Sequence, residues 1–321
     1  MFTRLGRLLA FSLVSVLVVS PALAYTVYVT NQGENTISII DGKAKKVLRT
    51  VKISQGKPHN AILSKGNKWL YIANVGSGSV SIFDPASETE VAVIPADKGT
   101  HGVTLTPDEK QLWTANVAAN TVSVIDLASQ KVIRTIKVGT KPMLVTFTPD
   151  GKKAYVSNGG SGDVSVIDVP NYEVVRTIFA GKDAMGMALA PDGKAVWVTE
   201  GGDDIVSVID TAKDEVAATI KIGSDTHGVV LSPDGKRAYV SVRKEHFVAV
   251  VDVPRRAVVA KIPVSELPDI LDITADGKEV WVTSRKAHAV DVIDTATNQR
   301  VLTIPVGMTA APDPHGLVIT K

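Results

Sequence analysis

The chain has 321 residues, no cysteine, and 35 Lys and Arg against 33 Asp and Glu. Without cysteine there is no disulfide framework, no thiolate metal site and no covalently attached c-type haem, and a chain of this length can bury enough surface to fold without such staples. The formal excess of +2 is carried by Arg4 and Arg7, leaving 33 basic and 33 acidic side chains in the rest of the chain. Nothing in the overall charge therefore draws the protein to nucleic acid or to an anionic membrane.

Arg4 and Arg7 precede an apolar run from Leu8 to Ser20, and Ala22-Leu23-Ala24 supplies a small-x-small pattern. Residues 1–24 thus read as a cleaved signal peptide, with the remaining chain starting at Tyr25 in the periplasm or outside the cell. The apolar run is shorter than the roughly 20 residues that span a bilayer, and no membrane span is expected after cleavage.

From Tyr28 onward one pattern recurs. Tyr28, Tyr71, Trp113, Tyr155, Trp197, Tyr239 and Trp281 occupy equivalent places, 43 residues apart once and 42 apart thereafter. Seven units of this length match the period of β-propeller blades. The third unit shows their composition. A short strand from His101 to Thr106 ends at Pro107-Asp108, and Gln111 to Asn116 forms a second strand. Thr121 to Ile125 forms a third, closing on Asp126, and Lys131 to Val138 a fourth. Val, Ile and Thr dominate, and period-two alternation marks the third strand. Turns recur at Pro149-Asp150-Gly151, Pro191-Asp192-Gly193 and Pro233-Asp234-Gly235.

No inner strand precedes Tyr28, whereas the C-terminal Pro314-His315-Gly316-Leu317-Val318-Ile319 matches the missing one. The expected fold is all-β: a single seven-bladed β-propeller over residues 25–321, built of four-stranded antiparallel blades and closed by the C-terminal strand completing the first blade. Tyr28-Val29-Thr30-Asn31 and the Val-Ser-Val-Ile-Asp segments at 122–126 and 206–210 resemble the YVTN-type β-propeller repeat. That resemblance covers all seven units. It implies an exported protein, similar to the propellers related to the d1-haem group and to those associated with alcohol oxidation. It leaves the chemistry open.

An Asp closes the third strand in every unit (Asp41, Asp84, Asp126, Asp168, Asp210, Asp252 and Asp294). A residue repeated seven times reads as a turn acceptor for backbone N–H groups and not as catalytic. The six histidines fall into two columns. One, at the start of the inner strand, reads His59, His101, Met143, Met185, His227, Asp269 and His315; the other holds His246 and His288. Ring closure makes His315, His59 and His101 consecutive around the channel mouth. Three adjacent imidazoles suit copper or zinc, and one axial imidazole suits haem as a weaker option. His227 and Asp269 are second candidates, with His227 expected too far across the channel to join the same ion. The bland alternative is an imidazole that only bonds a neighbouring blade's backbone.

Arg243 and Arg285, 42 residues apart, are absent from the equivalent places in the second to fifth units. They could anchor a small anionic ligand or a cofactor's acidic substituents, or simply pair with Glu245 and Glu266. No catalytic residues are assigned. The expected role is a periplasmic binding module, with a metal ion or metal cofactor at the histidine-lined face. A lyase or lactonase-like enzyme acting there, and an interaction scaffold for a periplasmic protein partner, are the alternatives.

Overall fold

The computed structural model describes residues 25–320; the signal-peptide reading falls on residues outside this range. The described chain forms seven four-stranded antiparallel sheets, and the only helical turn among the described residues is Lys65–Asn67. One sheet joins Thr26–Asn31, Thr36–Asp41 and Lys46–Lys52 with the C-terminal strand Pro314–Ile319, so the expected closure of the ring is observed. Val27 pairs with Ile319, and Val29 with Leu317.

The core lies between blades. Tyr28, Tyr71, Trp113, Tyr155, Trp197, Tyr239 and Trp281 are all buried, each on the second strand where its ring packs against a neighbouring sheet. Such a side chain contributes roughly 1.5–3 kcal/mol by leaving water. The repeated Asp residues act as turn acceptors: Asp41 accepts from the Lys43 and Ala44 N–H groups, Asp210 from those of Ala212 and Lys213, and Asp294 from that of Thr297. Fourth strands stay on the outside, and three of them, at Lys131–Lys137, Glu173–Phe179 and Gln299–Pro305, are exposed along nearly their whole length.

One irregularity recurs in every inner strand. Pro58 pairs with Asn74 and Ala61 with Ile72, leaving His59 and Asn60 together opposite Ala73. The same two-against-one bulge appears at His101, Asp269 and His315. A bulge bends the strand and re-aims a side chain, here at the column that carries the histidines.

The C-terminal strand alone covers the inner edge of the first blade and buries Leu317 and Ile319. Ending the chain at Asp313 is expected to lower Tm by about 10 °C or more, given roughly 2–4 °C per kcal/mol for domains of this class; thermal unfolding followed by circular dichroism reads it.

Candidate functional site: the channel mouth

Each bulge presents its residue at the start of the inner strand, where seven strands meet around the channel. The backbone there is clasped between blades. The hydroxyl of Thr30 donates to the His59 carbonyl at 2.5 Å, Thr199 to that of His227, Ser241 to that of Asp269 at 2.6 Å, and Thr283 to that of His315 at 2.9 Å. Ser157 does the same for Met185 at 2.8 Å. Glycine follows several mouth residues for a related reason. A Cβ on Gly102, Gly186, Gly228 or Gly316 would lie 2.0–2.4 Å from the next blade's mouth carbonyl. The glycine of each His-Gly pair is thus demanded by packing, while the histidine before it is not.

The imidazoles form one cluster. The His59 ring centroid lies 3.7 Å from that of His101 and 3.6 Å from that of His315, with the rings tilted by 42° and 40°. His101 and His315 are 6.4 Å apart. His227 does not stand apart across the channel as its place in the sequence suggests, because its centroid is 6.5 Å from that of His315. Asp269 brings the two together: His227 Nε2 is 3.0 Å from Oδ1 and His315 Nε2 is 3.1 Å from Oδ2. Met143 is buried beside this cluster and Met185 is partly exposed.

The ring nitrogens divide into engaged and free. His101 Nδ1 is 3.0 Å from the Met143 carbonyl oxygen. A carbonyl only accepts, so Nδ1 carries the proton and Nε2 is the bare nitrogen. His227 Nδ1 faces Arg243 Nη1 at 2.8 Å, and since the guanidinium only donates, Nδ1 accepts and the proton sits on Nε2, toward Asp269. In His315 a carboxylate oxygen near Nε2 likewise calls for a proton on that nitrogen, because two facing lone pairs would repel. The contact is off the axis of a well-aligned hydrogen bond, and Asp269 Oδ2 has no aligned partner. The other nitrogen of His315, Nδ1, is buried with no hydrogen-bond partner, as is Nδ1 of His59.

Charge follows the same division. Burial, then the neighbouring imidazoles His101 and His315, hold His59 well below its ordinary pKa. Burial also lowers His315 despite the pull of Asp269, and lowers His101 to about 4 against the opposing hydrogen bond to the Met143 carbonyl. All three are neutral at pH 7. Burial pushes the Asp269 carboxyl up, but His227, His315 and Arg243 outweigh it and keep the carboxylate well below the usual range.

Arg243 and Arg285 are engaged by carboxylates of this chain other than the expected Glu245 and Glu266. Arg285 Nε and Nη2 form a fork onto Asp313 at 2.7 and 2.9 Å, and Nε lies 3.9 Å from Asp269. Arg243 reaches Asp269 at 3.3 Å and Asp225 at 3.5 Å. Glu266 instead pairs with Lys286, and Glu245 accepts from the Ser224 N–H. His246 accepts from the Leu267 N–H at 3.3 Å, and His288 Nδ1 is buried without a hydrogen-bond partner. Among the described residues, no three His, Asp or Glu side chains are gathered so as to hold a metal ion as they stand. The stacked rings account for that: two imidazoles on one ion, each nitrogen about 2.0–2.1 Å from it, need centroids about 5 Å apart in a tetrahedral site.

One further group escaped the sequence reading. Glu200 ends the second strand of its blade, where Asn31, Asn74, Asn116 and Asn158 stand in others. Those amides donate to hydroxyl or carboxylate groups on the next strand, as Asn116 does to Thr121 and Ser123. Glu200 is fully buried with both carboxyl oxygens unpartnered. Burial, then Asp203 and Asp183, raise its pKa from 4.5 to about 9. Folding therefore favours its neutral form, and the stability it withholds grows as pH rises from about 4.5 to about 9. Glu200→Gln is expected to raise Tm by several degrees at pH 8, with the gain vanishing below pH 5; thermal unfolding across that range checks the sign.

The chain matches the family model described as YNCE-like beta-propeller over residues 70–158 and 192–320. Among solved structures it is similar to Kuenenia stuttgartiensis hydrazine synthase, with 24% identity and a TM-score of 0.78 over 84% of this chain and 92% of that chain. It is also similar to a functionally unknown protein from Desulfotomaculum acetoxidans DSM 771, at 12% identity and a TM-score of 0.81, covering 92% and 98% of the two chains. At these identities the likenesses establish the fold alone. No curated protein matches the chain. The family match spans well over half of the residues and agrees with the seven observed blades, and the chain belongs to the YNCE-like β-propeller family.

Proposed function

We propose that this propeller is an exported binding module, periplasmic or secreted, that holds a transition-metal ion, copper or zinc, at the channel mouth. The propeller fold itself supports a binding or scaffold role. The observation that carries the metal reading is the division of nitrogens. His101 gives one nitrogen to a backbone carbonyl, and His315 sets one beside a carboxylate, while each keeps the other bare. Metal-ligating histidines are oriented by such outer partners, and neutral imidazole is the form that binds metal.

His59, His101 and His315 are the ligand set, with His227 and Asp269 as the orienting pair behind His315. Binding requires the stacked rings to separate. Arg243 and Arg285 are held by Asp225, Asp269 and Asp313, so they brace the site, and an anionic ligand or an acidic cofactor substituent would have to displace those carboxylates. Haem is the weaker option for the same reason. A lyase or lactonase reading has less support, because the mouth column offers one carboxylate, Asp269, already engaged by two imidazoles. A scaffold reading rests on the outer strand Glu173–Phe179, where Val175 is 58% and Phe179 72% exposed.

Tag-free protein exposed to copper or zinc and then desalted is expected to retain about one ion per chain by elemental analysis. Replacing His59, His101 and His315 together with alanine should abolish that retention. Failure to retain either ion, or retention indifferent to the three substitutions, would remove the metal reading and leave the scaffold one.

A further inference from the structure

The blade formed by residues 184–221 lacks a cation that the two blades after it carry. At the turn after the second strand those blades have Arg243 and Arg285, where this one has Gly201. The backbone sets the three positions alike: the Gly201 N–H donates to the Asp183 carbonyl, that of Arg243 to Asp225, and that of Arg285 to Leu267. A side chain at this turn is offered two residues, the one preceding its own inner strand and the one preceding the inner strand of the next blade. Arg243 has Asp225 in its own blade and Leu267 in the next, and its Nε lies 3.5 Å from Asp225 Oδ2. Arg285 has Leu267 in its own blade and Asp313 in the next, and it forks onto Asp313. Gly201 has a carboxylate on both sides, Asp183 and Asp225, and no side chain to meet them.

The gap at Gly201 is bordered by oxygen. A Cβ there would lie 3.2 Å from the Thr226 carbonyl oxygen and 3.3 Å from both Asp183 Oδ2 and Asp225 Oδ1. Asp183 is exposed and has no hydrogen bond or ion pair from its carboxylate among the described residues. Asp225 turns Oδ2 to Arg243 and leaves Oδ1 to the gap. Behind them lies Glu200, with no exposed surface and both carboxyl oxygens unpartnered, facing Asp203 and Asp183. A Cβ on Gly181 would lie 3.2 Å from Glu200 Cδ and 3.3 Å from Asp203 Oδ2. Cations meet this group of carboxyls only at its margins, Lys182 at 3.7 Å from Asp203 and Arg243 at Asp225.

We infer that the notch at Gly201 binds a guanidinium group presented by an arginine of a partner protein, held between Asp183 and Asp225 in the place that Arg243 and Arg285 fill from within the chain. A planar guanidinium reaches carboxylates on two sides with separate N–H groups, which a compact ammonium does less well. A bare metal ion fits less well too, because it needs several oxygens on one point, and no three acidic side chains converge in that way among the described residues. A protein is the source because the loop 180–183, which carries Asp183, begins at Phe179, 72% exposed at the end of its outer strand. Arginine seated beside an accessible aromatic ring is the composition of interface hot spots.

The test is a proton–nitrogen NMR titration of the tag-free protein with N-acetyl-arginine amide, which mimics an arginine within a chain. N-acetyl-lysine amide and agmatine serve as parallel probes. Saturable shifts are expected at residues 181–183, 200–204 and 225–226, with the arginine probe bound about fivefold or more tightly than the lysine one. Asp183→Asn should weaken binding about fivefold or more. Gly201→Arg should abolish binding and raise Tm by a few degrees, since the backbone at Gly201 is outside the left-handed region and the added side chain occupies the notch. No saturable shift, equal affinity for the lysine probe, indifference to Asp183→Asn, or binding that persists in folded Gly201→Arg would overturn the inference. Agmatine bound about tenfold more tightly than the arginine amide would assign the notch to a small cationic ligand and overturn the partner protein's place in it.

Discussion

The structure of the mouth depends on one contact repeated between blades: a hydroxyl on the second strand of one blade donating to the carbonyl of the next blade's mouth residue. Five of the seven junctions use it, at Thr30, Ser157, Thr199, Ser241 and Thr283. It pins the bulged residue's backbone from outside its own sheet, and each such buried bond contributes about 1 kcal/mol net while being costlier to leave unmade. The exceptions are informative. Ala73 has no hydroxyl to offer His101, and the Met143 carbonyl is taken by the His101 imidazole itself. The ring that lacks the ordinary clasp is thus the one whose side chain replaces a clasp on the next blade, and that exchange fixes its tautomer.

Around this frame a single carboxylate organises the charge. Asp269, with no exposed surface, is approached by two imidazoles and two guanidiniums, and each guanidinium is shared with a second carboxylate nearer solvent, Asp225 or Asp313. A lone buried carboxylate would be expensive, and this surrounding is what makes it tolerable. The Arg285 guanidinium in turn adds to burial in holding the His59 and His315 imidazoles below their ordinary pKa. The opposite condition holds at Glu200, a buried carboxyl facing Asp203 and Asp183 with no cation against it, and there the proton is retained.

Architecture was legible in the sequence because it is periodic. Seven aromatic positions, seven closing aspartates and the unmatched C-terminal strand each state the same repeat, and the structure reproduces all three. The histidine column was legible for the same reason, since departures from a repeat stand out against six equivalents. Distances across the ring were not. The closeness of His227 to His315 depends on Asp269 lying between them and on bulges that turn those side chains inward, and a column of residues does not state how far a side chain reaches. The arginine partners were misjudged because Glu245 and Glu266 are near in sequence, whereas Asp313 meets Arg285 only after the C-terminal strand closes the first blade. For Glu200, the place at the end of a strand, in a column of buried asparagines, is the signal that it lies inside.

The account stands on which nitrogens are bare. Long-range proton–nitrogen correlation spectra of the metal-free protein, labelled at histidine and recorded at pH 7, report this directly. The account predicts that both His101 and His315 are neutral, with the proton on Nδ1 of His101 and on Nε2 of His315. Imidazolium signals from either residue, or protons on the opposite nitrogens, would mean that the mouth presents no pair of free donors, and the binding site described here would not exist.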